Sequence, residues 1–314
     1  MTTISLIIPT MNRPNSLKRT LESYFNNMCE VFPDELIVVD QSKSDIDKHN
    51  NEKIVETFRN VCDVNYLYLD EPSITKARNL ATQICKGDIL VYSDDDINVD
   101  YSTLKNVKEL FLKNNISMIG GIDKFTNLKS SIAGYFIGTR SLIKKKKGHV
   151  TKSVLGRFPN RIKGEVNTEW AMGFFFSVKR ELLRKWNIKF DENLTSYAYA
   201  EDLDFTYSYY KKSKSEGYNC IFSDKVVVEH LATKEYRIPS SKSINMYILN
   251  RAYICYKHKM GRTSAIFMHW TNFWIKMSNF FNREQYIYYK EAIGREKKYR
   301  NLLKKGILLP EFYS

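Results

Sequence analysis

Cysteine is scarce in this sequence, and its five cysteines are spread from Cys29 to Cys255 without a Cys-x-x-Cys pair. No cluster of cysteine and histidine occurs either, so neither a disulfide framework nor a zinc site is indicated. An odd number of widely spaced cysteines is typical of a reducing compartment. We therefore expect a cytoplasmic protein.

Long apolar runs are also lacking. The first residues, MTTISLIIPT, have no basic leader and too short an apolar stretch for a signal peptide, so none is expected. The most hydrophobic later segment, SAIFMHWTNFWIKMSNFF, is interrupted by His269, Asn272 and Lys276. A membrane-spanning helix needs about 20 mostly apolar residues. This segment is therefore expected to lie on a surface rather than to cross a bilayer.

The sequence does contain enough apolar side chains for a core, together with a strong excess of positive charge. Of 314 residues, 43% are hydrophobic and 14% aromatic, which is typical of a globular chain. The formal net charge is +14, and residues 234–314 hold 16 Lys/Arg against 5 Asp/Glu. That basic region predicts an anionic partner: a membrane surface, a nucleic acid or a phosphorylated substrate.

The first 125 residues alternate apolar runs with amphipathic helical patterns, which favours a mostly parallel α/β sheet with right-handed crossovers. The apolar runs are continuous rather than alternating, as in strands that are covered on both faces. In such sheets, ligands bind beyond the carboxyl ends of the strands. The predicted strands occupy residues 4–10, 35–40, 64–70, 88–94 and 116–122.

The rest of the chain is less regular until its last quarter. Residues 126–168 are polar and rich in lysine and glycine, and they predict an irregular, mobile flap with short strands. A further strand is predicted at 172–178 and a strand pair at 217–230. A helix that opens with acidic residues begins near Ala200. From about residue 236 the pattern is helical, aromatic and basic.

Three adjacent carboxylates, Asp94, Asp95 and Asp96, directly follow the buried run ILVY at the end of a predicted strand. Like charges at this separation repel one another, and folding alone does not require them there. A cation or another partner would make the arrangement tolerable. The plainer interpretation is an acidic, solvated turn after an edge strand.

Four segments occur in a characteristic order: SLIIPTMNRPNSLKRTLES, IVVDQS, ITKARNLA and DILVYSDDDI, followed by EWAMGFFFSVKRELL and YAEDLDF. In this order they resemble the family 2 glycosyltransferases of the GT-A fold, over residues 3–232. The resemblance implies a Rossmann-like, mostly parallel sheet flanked by helices, with a C-terminal helical extension. It also implies an inverting enzyme of the kind that builds bacterial cell-surface polysaccharides.

The same resemblance suggests a division of the chain. We expect a catalytic domain over residues 1–235, with a nucleotide-binding half at 1–125 and an acceptor-binding half at 126–235. Residues 236–314 would then form the basic, aromatic-rich helical region.

The resemblance implies that the acidic triplet binds a divalent metal and the donor. In the family, one aspartate of this motif binds the metal and another lies near the donor ribose. The triplet leaves the register open, so Asp94, Asp95 and Asp96 are assigned jointly to the metal, and Asp94 and Asp95 also to the donor. Mn²⁺ or Mg²⁺ suits oxygen ligands. His230 matches a further ligand in some members, although a lone histidine after a strand is often unremarkable.

The nucleoside is expected to lie against the ends of the first two strands. Asp40 resembles the family carboxylate that contacts the nucleotide base, and a capping or turn aspartate is the plainer alternative. The loop around Pro9, Thr10 and Asn12 should face the same nucleoside.

Arg78 matches a family arginine near the base and diphosphate, and a guanidinium suits phosphate oxygens. An exposed arginine on a helix is the alternative interpretation of Arg78. Asn79, beside it, is assigned to the donor site as well, with helix capping as its alternative role.

The acceptor half carries the residues that the resemblance assigns to catalysis. Asp202 sits where inverting members place the general base that removes the acceptor hydroxyl proton. Glu201 is adjacent and could be the base or contact the acceptor; both could instead be helix-capping acids. Trp170 could stack on a sugar or belong to the core. Gly173 would allow close approach of the substrate to the backbone.

The sequence thus predicts a metal-dependent transferase that moves a sugar from a nucleotide donor, with UDP favoured, to a glycan or lipid-linked acceptor. A nucleotidyltransferase is the alternative, although IIPTMNRPNS lacks the glycine-rich phosphate loop expected of one. Nucleic-acid binding is not expected, because no signature for it occurs and the predicted cleft is acidic. The basic tail would lie on an anionic membrane at the inner face of the plasma membrane, or would pack on the catalytic domain or on a second subunit in a homo-oligomer.

Overall fold

A computed structural model describes residues 2–113, 115–126, 132–142, 144, 146–195, 198–231 and 239–313. The helices run Pro14–Tyr24 (α1), Asp45–Glu56 (α2), Ile74–Ile84 (α3), Thr103–Phe111 (α4), Ile132–Phe136 (α5), Arg180–Lys185 (α6), Glu201–Ser215 (α7), Ser240–Lys257 (α8), Gly261–Ser278 (α9) and Arg283–Lys304 (α10). A 3-10 helix follows at Pro310–Tyr313. The strands are Ile4–Thr10 (β1), Glu35–Asp40 (β2), Asp63–Tyr68 (β3), Ile89–Ser93 (β4), Ile97–Val99 (β5), Ile116–Asp123 (β6), His149–Val150 (β7), Gly156–Arg157 (β8), Glu165–Asn167 (β9), Phe175–Lys179 (β10) and Asn219–His230 (β11).

One mixed sheet organises the chain. Its strand order is β3-β2-β1-β4-β10-β6-β11-β5. Strand β9 pairs with residues 221–223, near the start of β11. The pairs β3–β2, β2–β1, β1–β4 and β6–β11 are parallel, whereas β10 runs antiparallel to both β4 and β6. The carboxyl ends of β1, β2 and β4 therefore meet at one edge of the sheet, where Thr10 pairs with Asp40.

Helices cover both faces of the sheet, which explains the continuous apolar runs. Along β1, Leu6 and Ile8 face a core formed with α1, α2 and α4, whereas Ile7 faces a second core formed with α3, α6 and α7. Successive strand side chains point to opposite faces, so a strand covered on both faces has a nearly continuous apolar run. Full burial of each such side chain contributes about 1.5–3 kcal/mol.

The structure corrects one strand prediction and adds a strand that was not predicted. Residues 217–230 do not form a strand pair; they contain the single strand β11, whose pairing register with β6 shifts between Phe222 and Val227. The short strand β5 follows the acidic triplet and pairs antiparallel with the end of β11. Both differences arise from long-range pairing that local sequence does not specify.

The segment 126–168 is largely irregular, as predicted, with helix α5 and the short strands β7, β8 and β9 in its described part. Residues 127–131, 143 and 145 of this segment lie outside the described residues, and its mobility stays a prediction. The predicted boundary at residue 235 falls within 232–238, which also lie outside them.

The C-terminal helices do not share one environment. Helix α8 packs its apolar side chains on the part of the chain that contains the sheet, where Leu249 and Met246 share a core with Trp170, Leu203 and Phe222. The 3-10 helix adds buried Phe312 and Tyr313 to the same core. In the part of the chain that the structure describes, no helix is both long and apolar enough to span a membrane.

Candidate active site

A cavity of about 870 Å³ opens at the edge of the sheet where the parallel strands end. This volume falls in the range of small-molecule sites. Pro9 and Thr10 of β1 line it together with Asp94 and Asp96, which follow β4. Its other side is formed by the segments before β10 and at the start of α7. The cavity therefore lies where the topology of an α/β sheet places ligands.

The acidic triplet divides into two groups. The carboxylates of Asp94 and Asp96 and the ring of His230 each offer a ligand atom, and these atoms lie within 4.8 Å of one another. Asp95, between them, points away: its carboxylate accepts a 2.6 Å hydrogen bond from the Thr10 hydroxyl and pairs with Arg13 at 2.7 Å. The sequence left open which of the three aspartates share a metal site. In the structure, Asp94 and Asp96 converge and Asp95 does not.

His230 reaches this group through the sheet. The antiparallel pairing of β11 with β5 sets His230 opposite Ile97, directly after the triplet. Its imidazole Nε2 lies 3.4 Å from Asp96, and its ring stacks on Phe174 with the centroids 5.4 Å apart. The hydrogen bond with Asp96 raises the pKa of His230. Two carboxylates and one imidazole form a donor set that suits a divalent metal such as Mn²⁺ or Mg²⁺.

Arg13 is a site residue that the sequence reasoning missed. It lines the cavity, and its guanidinium pairs with Asp95 at 2.7 Å and with Asp96 at 3.3 Å. Burial raises the pKa of Asp95 to about 7, although Arg13 and Thr10 oppose that rise. A single arginine in the loop after the first strand was the available signal, and its pairing with the triplet depends on the fold.

Arg78 is fully buried rather than exposed to the cavity. Its guanidinium donates to Glu201 and to Asp94, both at 3.0 Å, and to the carbonyl oxygen of Gly173 at 2.9 Å. The side chain of Arg78 is therefore a bridge between the metal-binding group and the start of α7. Its predicted contact with the diphosphate stays a prediction.

Glu201 and Asp202 begin helix α7 and both line the cavity. The Asp202 carboxylate accepts hydrogen bonds from the backbone N–H of Gly173 at 2.8 Å and of Leu203 at 2.7 Å. Burial raises the pKa of both acids, and the neighbouring Asp202 raises that of Glu201 further. A carboxyl group with a raised pKa is a better proton acceptor when ionised, which suits a general base.

The backbone before α7 is held in an unfavourable conformation. Ala198 and Ala200 have φ angles of 46° and 69°, in the left-handed region that costs a non-glycine residue about 1–3 kcal/mol. The Asn250 side chain of α8 donates to the carbonyl oxygen of Tyr199 at 2.9 Å, and the Tyr313 hydroxyl donates to Asn250 at 2.6 Å. The C-terminal region thus holds the turn that orients Glu201 and Asp202.

Two residues assigned to the nucleoside are engaged by the protein itself. Asp40 is fully buried and accepts hydrogen bonds from Ser42 N–H, the Asn51 amide and the Tyr66 hydroxyl at 2.5–2.9 Å. The Asn12 side chain accepts from the backbone N–H of Lys43 at 2.9 Å. Neither lines the cavity, whereas Pro9 and Thr10 do. Their contact with a base stays a prediction.

Asn79 also faces away from the cavity. It exchanges hydrogen bonds with both backbone groups of Phe190 at 2.9 Å and donates to Glu192 at the same distance. These contacts fasten α3 to the segment before α7. Its assignment to the donor site stays a prediction.

Trp170 and Gly173, which were assigned to the acceptor, line the cavity. Trp170 is 4% exposed and its indole N–H donates to the Arg157 carbonyl oxygen at 3.1 Å, so it is mainly a core residue with one surface on the cavity. A Cβ at Gly173 would lie 3.2 Å from that of Asp202. Glycine therefore permits the backbone N–H of residue 173 to reach the Asp202 carboxylate. Arg157, which also lines the cavity, was missed.

Comparisons with known proteins identify the family of the chain. A family model described as Glycosyl transferase family 2 matches residues 5–186, more than half of the chain. The chain is 23% identical over 249 residues to the poly(ribitol-phosphate) beta-N-acetylglucosaminyltransferase TarP of Staphylococcus aureus, covering 79% of this chain and 69% of the relative.

Solved structures show the fold. S. aureus TarS 1–349 in complex with UDP-GlcNAc has a TM-score of 0.56 at 17% identity and covers 97% of this chain and 84% of its own. The mannosyltransferase PcManGT from Pyrobaculum calidifontis, in complex with GDP-Man and Mn²⁺, has a TM-score of 0.56 at 15% identity and covers 95% and 75%. These similarities confirm the predicted GT-A fold.

Proposed function

The chain belongs to glycosyltransferase family 2, and from that premise we propose that it transfers a sugar from a UDP-sugar to a hydroxyl group of a glycan or lipid-linked acceptor, with inversion and with a divalent metal. One observation carries the proposal. A metal-binding group and a pair of acids suited to proton transfer line the same cavity, on two sides joined by Arg78.

The donor is inferred from chemistry and from relatives. The TarS structure contains UDP-GlcNAc and the PcManGT structure contains GDP-Man. We favour a UDP-sugar because TarS and TarP are the relatives with the higher identities. The nucleoside would lie against Pro9 and Thr10, with Asp40 buried directly below that loop.

The metal would be held by Asp94, Asp96 and His230. When bound, a divalent ion stabilises the negative charge that develops on the departing diphosphate. Asp95 holds Thr10 and Arg13 instead, so it is the member of the triplet that the geometry favours least as a ligand. Arg13 lies beside the same group and is suited to a phosphate oxygen.

Asp202 would remove the proton from the attacking acceptor hydroxyl. Two backbone N–H groups fix its carboxylate at the cavity, so its orientation is set before the acceptor binds. General base catalysis of this kind contributes roughly 10²- to 10⁴-fold to the rate. Glu201 is tied to Arg78 at 3.0 Å and is therefore better placed to position the site or to contact the acceptor.

The remaining assignments concern the acceptor and the setting. The exposed surface of Trp170 would line the acceptor sugar, and Gly173 would leave space for it. We place the enzyme in the cytoplasm, peripheral at the inner face of the plasma membrane, where lipid-linked acceptors occur. No observation favours nucleotidyl transfer.

A thermal-shift and hydrolysis screen tests the proposal. Purified protein is incubated with UDP- and GDP-sugars, each with Mn²⁺, with Mg²⁺ and with EDTA. We expect a UDP-sugar to raise the melting temperature and to be hydrolysed slowly, both only with metal. Asp96→Asn should lose this response, whereas Asp100→Asn, an exposed acid nearby, should keep it. The proposal fails if no nucleotide sugar is bound or hydrolysed by the wild-type protein.

A further inference from the structure

Three of the four buried residues of helix α9 are polar, whereas its exposed face carries several large apolar side chains. Its buried residues are Ser264, Met268, Thr271 and Asn272. Its outer face carries large apolar side chains that are 41–58% exposed: Ile266, Phe267, Trp270 and Phe273. A helix on the surface of a globular protein normally has the opposite arrangement. An apolar outer face of this kind marks an interaction site.

The buried face of α9 is fixed by specific polar contacts. Thr271 donates to the Ile137 carbonyl oxygen at 2.8 Å, and Asn272 accepts from Arg251 of α8 at 2.9 Å. Met268 is completely buried in the core shared with α8. Because these contacts set the rotation of α9, its aromatic face is directed outward by the fold.

The aromatic rings form a continuous cluster with helix α5. Phe136, 58% exposed, lies 5.6 Å from Trp270 and 5.2 Å from Trp274 between ring centroids. Trp270 lies 5.6 Å from Trp274 and donates its indole N–H to the Phe136 carbonyl oxygen at 2.9 Å. Ile132, at the start of α5, is 88% exposed. The cluster is thus a pre-ordered surface rather than a set of isolated side chains.

The turn between α9 and α10 carries two more exposed rings. Phe280 is 57% exposed and Phe281 is 99% exposed, with their centroids 5.5 Å apart. Phe280 also contacts the Tyr286 ring, with the centroids 5.8 Å apart, whereas the exposure of Phe281 leaves its ring almost no packing role in its own chain. We call the α5 and α9 rings together with this tip the aromatic surface; it comprises Ile132, Phe136, Ile266, Phe267, Trp270, Phe273, Phe280 and Phe281.

Positive charges border the aromatic surface. Lys276 lies 5.4 Å from the Phe273 ring centroid, and Lys152 lies 5.3 Å from that of Phe267. Among the described residues, neither lysine forms an ion pair with a carboxylate. Residues 236–283 contain eight Lys/Arg and no Asp or Glu. Lys276 and Lys152 thus place positive charge at the rings, whereas Arg251 is buried and Lys257 pairs with Asp191 and Asp204.

The aromatic surface connects directly to the wall of the cavity. Ser153 donates to the carbonyl oxygen of Gly138, just after α5, at 2.6 Å, and Arg157 donates to that of Thr139 at 2.6 Å. Val154 and Arg157 both line the cavity. A partner on the aromatic surface would therefore lie next to the side of the cavity assigned to the acceptor.

We propose that the aromatic surface binds the interface of an anionic lipid bilayer, with Phe280 and Phe281 inserted and the flanking lysines at the headgroups. Aromatic rings and basic side chains on one face are the combination that such an interface favours. The proposed attachment is peripheral. A second copy of the chain is disfavoured as the occupant, because it would bring the same uncompensated positive charge to this surface.

Vesicle cosedimentation of the full chain tests the proposal without any donor or acceptor. Vesicles of phosphatidylcholine with about 30% phosphatidylglycerol are compared with vesicles of phosphatidylcholine alone. We expect binding to the anionic vesicles that weakens at high salt. Phe280→Ser combined with Phe281→Ser should lower the partition coefficient about 100-fold, because each inserted ring contributes roughly a factor of ten.

A matched control uses two apolar residues of similar exposure elsewhere. Met28 and Leu112, 70% and 71% exposed, lie away from the aromatic surface, and their substitution by serine should leave vesicle binding unchanged. Tryptophan emission should shift to shorter wavelength on anionic vesicles, and Trp270→Phe should reduce that shift.

Three results would overturn the proposal: no binding to anionic vesicles, equal loss of binding in the control variant, or a stable oligomer that the Phe280→Ser/Phe281→Ser variant converts to monomer. The last result would assign the surface to a second copy. Hydrolysis of the donor without vesicles should be unchanged in this variant, so a failure here is distinguishable from a failure of the proposed function.

Discussion

Replacement of Arg78 by methionine removes the cation that joins the two sides of the site. Arg78 is fully buried and donates to Glu201, Asp94 and the Gly173 carbonyl oxygen at 2.9–3.0 Å. Methionine fills similar volume but leaves two carboxylates near Asp202 without their nearest positive charge. Removing one partner of a buried ion pair costs about 3–5 kcal/mol. We expect a loss of this size in the free energy of unfolding.

The loss in the free energy of unfolding that Arg78→Met causes should depend on pH. Burial already raises the pKa of Asp94 and Glu201 while Arg78 lowers it, so the variant should have still higher values. Between the ordinary and the raised pKa, the folded state binds more protons than the unfolded state, and stability falls as pH rises. The Arg78→Met variant should therefore be closer to the wild type at pH 5 than at pH 8.

Urea unfolding followed by circular dichroism at both pH values measures this effect. Lys86→Met is the control, because Lys86 forms an exposed pair with Asp63 and its loss should not move the midpoint measurably. The described role of Arg78 as a bridge is wrong in either of two cases. In the first, the free energy of unfolding of Arg78→Met differs from that of the wild type by less than about 0.5 kcal/mol at both pH values. In the second, the variant loses more stability at pH 5 than at pH 8.

Three further predictions concern the acceptor side. Because burial raises the pKa of Asp202, kcat/KM should fall on the acid side with a midpoint above that of an ordinary aspartate, and Asp202→Asn should abolish this dependence together with roughly 10²- to 10⁴-fold of the rate. A pH–rate profile that is unchanged in Asp202→Asn would exclude it as the base. Gly156→Ala places a Cβ 2.5 Å from the Trp170 ring, so it should raise the acceptor KM and cost about 1–3 kcal/mol of stability; an unchanged melting temperature would contradict the close packing. Asn250→Ala frees the Tyr199 carbonyl oxygen before α7 and should lower kcat more than donor affinity, whereas an equal loss of both would indicate general unfolding of the site.

The sequence was sufficient for the fold class because the central strands have a strong local pattern. Residues 4–10 and 35–40 each contain a continuous apolar run, at 6–9 and 36–39, as is typical of strands covered on both faces, and the predicted bounds agree with the structure. Strand β5 has three residues and forms only through its pairing with β11. Its formation depends on a distant partner, since Asn98 and Glu229, which are in contact, are 131 residues apart in the chain. No local pattern contains that information.

The family motifs located the site, but they could not decide how each side chain is used. Asp94, Asp95 and Asp96 are equivalent in the sequence, and only the turn after β4 separates the converging pair from the one that holds Arg13. Asp40 was expected at the cavity because it ends a strand. Its carboxylate is instead enclosed by three protein donors, which the sequence does not bring together.

The central claim is that a metal-dependent binding site for the nucleotide sugar and a separate general base share one cavity. Isothermal titration calorimetry of UDP in the presence of Mn²⁺ tests this claim most directly. The claim predicts that Asp96→Asn and His230→Ala lose at least about tenfold of the Mn²⁺-dependent UDP affinity, while Asp202→Asn binds UDP like the wild type but transfers no sugar. Wild-type affinity in Asp96→Asn and His230→Ala, or loss of UDP binding in Asp202→Asn, would contradict it.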